Sequence, residues 1–308
     1  MWRWLLLLLP LAAFAVETTP FWEQVREGIE GYTTSKSPEA DELIQASGEL
    51  WRRWRNLYLR PFGVALLTFT LLALLSFQLF HGPIRLKRRR GIEILRWRRW
   101  ERWLHWGVAS LFLLLALTGL SLLYGTQLAG LVGKELYAPY ARIAKWCHNL
   151  AGPLFVVLLA IMIGAWLRDN LPERADLDWL SKLGGLLGEP KAGRFNLGEK
   201  LWFWSLFLFG GIVSLSGLLL DFPISGFGRE VMQLALLLHA ISAIVLVAFS
   251  FGHIFMGLVT EGALRGMVTG QVDLGWMEQH HPLALKRQAR PERTPAVERP
   301  ENFFRPAR

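Results

Sequence analysis

Five apolar blocks constrain this chain more than any other feature: Phe62–Phe80, Leu104–Tyr124, Asn149–Trp166, Leu201–Leu220 and Val231–Val259. Each is close to the ~20 residues that carry a helix across a bilayer core. A soluble domain spreads its apolar residues at helix or strand periods and is about one quarter charged. Here 52% of 308 residues are hydrophobic and 19% are charged. The chain reads as an all-α integral membrane protein: a four-helix bundle with one additional N-terminal transmembrane helix.

Lys and Arg outnumber Asp and Glu by 34 to 25. In a soluble protein that excess would point to nucleic acid. In a membrane protein it is topological, because cations gather in cytoplasmic loops, so membrane lipid and not nucleic acid is the expected surroundings. Nine cations fall in the eighteen positions Arg85–Arg102, six in Arg168–Lys200 and eight after Val259. The other loops hold Lys134, Arg142 and Lys145, and then Arg229 alone. The cation-rich segments, including the C-terminus, are therefore expected inside and the N-terminal segment outside.

Residues Met1–Ala15 have a basic start, an apolar centre and small residues at Ala13 and Ala15, the pattern of a secretory leader. An uncleaved anchor is the other reading, and the apolar run is short for a span. Either sends the next segment outside, in agreement with the loop charges. An amphipathic helix is expected over Ser37–Arg55, with Leu43, Ile44, Leu50, Trp51 and Trp54 as its apolar members. The chain divides into a leader 1–15, an outer segment 16–60, an extra helix 61–81, a basic loop 82–103, a four-helix unit 104–260, a partner-contacting inner segment 261–286 and a disordered tail 287–308. The single cysteine, Cys147, excludes a disulfide framework, a C-x-x-C-H haem attachment and an iron–sulfur cluster held by this chain alone.

Of seven histidines, four sort by depth. His239 and His253 share the fifth span, and their fourteen-residue spacing turns through about 1400°, ~40° short of four turns, and rises ~21 Å. Both rings leave one helix face, one near each membrane surface. His105 begins the second span at the inner level and His148 begins the third at the outer. The pairs His105/His253 and His148/His239 match two stacked bis-histidine haem b sites, since haem iron takes axial imidazoles from facing helices. Gly119, Gly152, Gly252 and Gly257 lie where a macrocycle could approach a helix, although close helix packing explains glycines equally. Arg102 is placed to meet an inner propionate, and Arg142 or Lys145 an outer one. A proton or metal-ion pathway is the rival reading of intramembrane histidines. His81 reads as interfacial, His280 and His281 as partner contacts, and the tryptophans at span ends as the aromatic belt.

ERWLHW (Glu101–Trp106), KWCHNLAG (Lys145–Gly152), the His239/His253 pair, GRFNLGEKLWFW (Gly193–Trp204) and EGALRGMVTGQVDLGWMEQHHP (Glu261–Pro282) resemble the cytochrome b gamma subunit of membrane-bound formate dehydrogenase. Residues Glu30–Asn56 resemble the extra region of the family's longer members. The resemblance implies a bacterial inner-membrane anchor for an iron–sulfur subunit and a molybdenum or tungsten pterin subunit that oxidises formate. This chain would then be the non-catalytic electron-transfer subunit. It also implies electron passage from outer to inner haem b, and a quinone site on Asn196, Gly198 and the haem ligand His253. Glu199 stands where some members have Gln, and Asn196 is also a favoured helix cap. The di-haem pattern alone is shared with hydrogenase cytochrome b subunits. A histidine-based transporter would want acidic residues within the spans, and a cofactor-free anchor would leave the pairing by depth unexplained.

Overall fold

The computed structural model describes residues 46–185, 187–188, 190–222 and 227–289. The expected leader, the first part of the outer segment, and the tail from residue 290 onward lie outside them. Five helices are long and apolar enough to cross a membrane: Gly48–His81, Arg99–Leu123, Lys134–Trp166, Leu197–Asp221 and Arg229–Val259. The chain is a helical membrane protein.

The first of these helices, α1, is longer than its apolar block. Ala46–Arg53, a π-helical turn at Trp54–Leu59 and Arg60–His81 run on without a break, so the boundary expected at residue 60 falls inside one helix. α2 (Arg99–Leu123) leads through the short α3 (Gly125–Val132) to α4 (Lys134–Trp166). After a loop carrying α5 (Arg174–Ser181), α6 (Leu197–Asp221) and α7 (Arg229–Val259) complete the bundle. α2 lies along α4, α6 lies along α7 and touches α4, and α1 packs on α7 from outside. A buried cluster of Val108, Phe155, Leu159, Met162, Trp166, Phe203 and Leu246 fills the space between α2, α4, α6 and α7.

α6 starts sharply because Asn196 caps it. The Asn196 side chain accepts from Glu199 N at 3.0 Å, and the Glu199 carboxylate accepts from Asn196 N at 2.8 Å. Such a reciprocal pair satisfies two donors that a helix start leaves bare.

The loops at one end form a folded cap. β1 (Glu93–Leu95), in the basic loop, pairs antiparallel with β2 (Gln271–Asp273), with Ile94 opposite Val272. α8 (Ala263–Thr269), α9 (Leu274–His280) and α10 (Pro282–Ala289) complete it. Val272, Trp276, Met277 and Ala284 make its apolar centre, with Leu86 and Ile94 against them. Gly270 closes α8 at φ +90 and its carbonyl accepts from both Arg96 N and Trp97 N, at 2.8 and 3.1 Å. A left-handed backbone of that kind suits glycine.

The cation-rich loop is matched by acids of the C-terminal segment. Arg89 pairs with Glu261, and Arg90 with Glu278 at 2.8 Å. Asp273 accepts from the backbone N–H of Arg90 and Gly91 at 2.9 and 2.8 Å. The segment expected to contact a partner is, in this chain, packed on its own basic loop.

Below the cap lie buried charges. Glu101, 2% exposed, pairs with Arg194 and accepts from Trp166 Nε1 at 3.3 Å, and Arg194 also holds Asp169 at 2.8 Å. Lys200, 2% exposed, is held by Glu173 at 3.1 Å and Asp176 at 3.0 Å.

Candidate functional site

The four depth-sorted histidines meet in two pairs. His105 of α2 faces His253 of α7 near the cap, and His148 of α4 faces His239 of α7 toward the distal end. In each pair the ring centroids are 6.1 Å apart. Two imidazoles on opposite sides of one metal, with nitrogen–metal bonds of about 2 Å, put their centroids roughly 6 Å apart. Direct hydrogen bonding between the rings would bring them closer.

Hydrogen bonds fix which nitrogen of each distal ring is bare. Thr118 Oγ1 lies 2.9 Å from His148 Nδ1, and the hydroxyl gives its one proton to Leu114 O at 2.7 Å. With the hydroxyl proton on that carbonyl, the ring donates from Nδ1. His239 Nδ1 lies 3.1 Å from Val213 O and 3.3 Å from Ser216 Oγ. A carbonyl can only accept, so this ring also donates from Nδ1. Both rings are left with a bare Nε2 lone pair, the tautomer a metal-binding histidine needs.

A cavity of about 520 Å³ lies beside these rings, lined by both histidines with Gly119, Gly152 and Gly217. A Cβ on Gly119 would sit 3.1 Å from His148 Cε1, and one on Gly217 would sit 3.0 Å from His239 Cε1. Gly119 was visible in the sequence from its fourteen-residue offset to His105. Gly217, Thr118 and Ser216 were missed, since nothing in the sequence shows which residues of one helix border a ring on another.

The capped pair is held by aromatic rings. Trp202 stacks on His253 at 4.9 Å and 13°, and Trp106 meets His105 edge-on at 5.1 Å. Among the described residues, His105 Nδ1 and Arg102 Nε are buried without a hydrogen-bond partner. Arg102 also donates from Nη1 to Val268 O, tying α2 to α8. Asn196 spends its side-chain oxygen on the α6 cap, and a Cβ on Gly198 would lie 3.2 Å from that oxygen. Gly252 and Gly257 border open space.

Among the described residues no three His, Cys, Asp or Glu side chains cluster as a metal site. Each pair therefore offers two imidazole nitrogens, and a metal held there would need its remaining donors from the ligand itself. A macrocycle with four nitrogens of its own suits that donor set.

The readings of His281, His280, Trp97 and Trp166 need correction. His281 is 1% exposed and inside the chain: Nδ1 donates to Gly193 O at 2.9 Å, and Nε2 lies 3.4 Å from Arg96 Nη2. Burial, and then the Arg96 charge, hold its pKa well below the usual value. His280 packs on Trp276 at 5.0 Å, and burial lowers its pKa to about 4. Two belt residues are also core residues, since Trp97 and Trp166 are 8% and 7% exposed and lie 5.8 Å apart, whereas Trp103 is 74% exposed. His81 is an exposed residue at the end of α1, stacked on Phe77 at 4.8 Å.

A family model described as prokaryotic cytochrome b561 matches residues 96–270, from the residue after β1 to the residue that closes α8. The chain belongs to that family. Haem b is therefore its cofactor class, and all four paired histidines lie within the matched residues. The nitrate-inducible formate dehydrogenase cytochrome b556(Fdn) subunit of Escherichia coli K12 is 30% identical over 178 residues, 56% of this chain and 80% of the relative. The formate dehydrogenase cytochrome b556(fdo) subunit of the same strain is 29% identical over 178 residues, covering 56% and 82%. The formate dehydrogenase cytochrome b556 subunit of Haemophilus influenzae is 30% identical over 148 residues, covering 46% and 62%. α1 and the loop up to residue 95 precede the family match.

Proposed function

We propose that this chain is the membrane-anchoring di-haem cytochrome b subunit of a formate dehydrogenase, in the bacterial inner membrane with its capped end in the cytoplasm. The observation that carries the proposal is the repeated 6.1 Å histidine pair at two depths. The relatives' names supply the complex, and the cation-rich loops at the capped end support the orientation. Its expected partners are an iron–sulfur subunit at the distal, periplasmic end and, beyond it, a molybdenum or tungsten pterin subunit that oxidises formate.

In this reading His148 and His239 would hold one haem b, through their bare Nε2 atoms, and His105 and His253 would hold the other. Bound there, haem b supplies one-electron relays that lead from the iron–sulfur partner, distal to capped, to a quinone. The protein's part is to bind, orient and exclude. With two histidines given to each haem, the sites would pass electrons and bind no substrate. Thr118 and the Val213 carbonyl keep the Nδ1 protons in place, and Gly119 and Gly217 leave room beside the rings. Trp202 keeps the His253 ring upright. Arg102, through its bare Nε, receives a propionate near the cap.

Asn196, Gly198 and His253 form the proposed quinone site. The Asn196 side chain already holds the helix cap, so its part is to shape the entrance, and Glu199 beside it is the nearest group able to hand on a proton. With quinone on the cytoplasmic side, negative charge crosses inward against a membrane potential worth about 2.3 kcal/mol per charge per 100 mV. Proton uptake from the same side would make this a redox loop.

The test is a reduced-minus-oxidised spectrum with haem counted by pyridine haemochrome on the purified chain. Two haems b per chain are expected, and none in correctly inserted, haem-supplied protein would end the proposal. His148→Ala should remove one haem and block reduction of the other by the donor side.

A further inference from the structure

α1 lies outside the residues of the family match, yet it reaches the distal haem cavity. Trp51 and Arg55 line that cavity together with Lys145 and Asp221. Trp51 Nε1 is a buried donor without a hydrogen-bond partner among the described residues. The Arg55 guanidinium carbon stands 5.2 Å from the centre of the Trp51 ring. Among the described residues it forms no ion pair or hydrogen bond. A buried donor and a cation placed side by side in the lining of one cavity want an acceptor that carries negative charge.

The helix is held there. Tyr124, at the end of α2, donates to Arg60 O at 2.9 Å, while Arg60 Nε donates to Leu123 O at 2.9 Å. These reciprocal bonds join α1 to the distal end of the bundle. Gly63 sits against Tyr124 and Ile244, where a Cβ would come within 2.9 Å of Ile244 Cδ1. The π-helical turn at Trp54–Leu59 contains Arg55 and separates Trp51 from this clamp. One extra residue in a turn rotates the side chains before it relative to those after it, and such turns recur at functional sites.

We infer that α1 supplies the anion-binding edge of the distal haem site, with Trp51 Nε1–H and the Arg55 guanidinium receiving the carboxylates of the haem. The inference rests on the di-haem reading above. Lys145 of α4 faces the same cavity and adds a second cation. Asp221 opposes them, leaving two cations against one carboxylate before the propionates enter. The chain thus replaces water at the propionates with fixed donors from a helix that the family match does not include.

The experiment is a spectroelectrochemical titration of the purified full-length chain, with haem counted per chain, for wild type, Arg55→Gln, Arg55→Lys and Trp51→Phe. Loss of a nearby positive charge disfavours the reduced haem. Arg55→Gln is expected to move one of the two midpoint potentials downward and leave the other in place. Arg55→Lys should restore it, which a purely packing role would not. Trp51→Phe keeps ring and charge but removes the donor, and should weaken retention of that same haem. If Arg55→Gln does not insert, Trp51→Phe decides. Two haems with unchanged potentials and retention in these variants overturn the inference and leave the di-haem function standing. A wild-type chain without haem overturns both.

Discussion

Thr118 Oγ1 stands 2.9 Å from His148 Nδ1 while bonding Leu114 O at 2.7 Å, an arrangement that suits an imidazole protonated at Nδ1. Thr118→Val keeps the shape and removes the acceptor. Loss of such a partner typically lowers metal affinity about 10–100-fold. The expected outcome is faster transfer of one haem to an excess of apo-acceptor protein, the other haem transferring at the wild-type rate.

Gly217 tests the cavity by filling it. Gly217→Val pushes branched carbons at the His239 ring, whose Cε1 is already 3.0 Å from a Cβ there. Haem content should fall from two per chain toward one. Gly164, with nothing within 4 Å of a Cβ, is the control. Gly164→Ala should keep both haems and stabilise α4 by up to about 1 kcal/mol.

Lys200 is buried between Glu173 and Asp176. Removing one member of a buried ion pair strands the other and costs about 3–5 kcal/mol. Lys200→Met is therefore expected to lower the thermal transition of the detergent-solubilised chain, because two carboxylates remain at the α6 start. Lys200→Met combined with Asp176→Asn should recover part of the loss.

The cap should loosen in acid. Folded His281 has a pKa well below its usual 6.5, and His280 has one of about 4. Between those values and 6.5 the unfolded segment binds protons that the folded one refuses. The stabilisation is complete above about 6.5 and drains as pH falls. A protonated His281 Nε2 would face Arg96 at 3.4 Å, and Glu199, 3.9 Å away, is shared with Arg96. Hydrogen exchange over 271–289 should quicken between pH 6.5 and 4. His281→Asn, which still offers a donor to Gly193 O, should flatten that dependence.

Much of this protein was legible from its chain alone. Apolar block length gave the spans, loop cations gave the orientation proposed above, and a fourteen-residue spacing put His239 and His253 on one face. Each of those follows from a local regularity: the rise of a helix, the thickness of a bilayer, the cost of moving charge across it. The pairing of His105 with His253 was also reachable, because depth in a membrane is a coordinate that sequence records.

What sequence could not record is azimuth between helices and contact across loops. Which residue of α2 faces the His148 ring, and which of α6 faces His239, depends on helix rotation that no single helix specifies. For that reason Thr118, Ser216 and Gly217 emerged only in three dimensions. Trp97 and Trp166 read as belt residues because they sit at span ends, and only the fold of the cap over those ends buries them. His281 looked like a docking group in a polar tail, yet β1 and β2, 176 residues apart at Leu95 and Gln271, bring that tail onto the basic loop. The membrane fixed the spans through local chemistry, while long-range packing alone decided what surrounds each histidine.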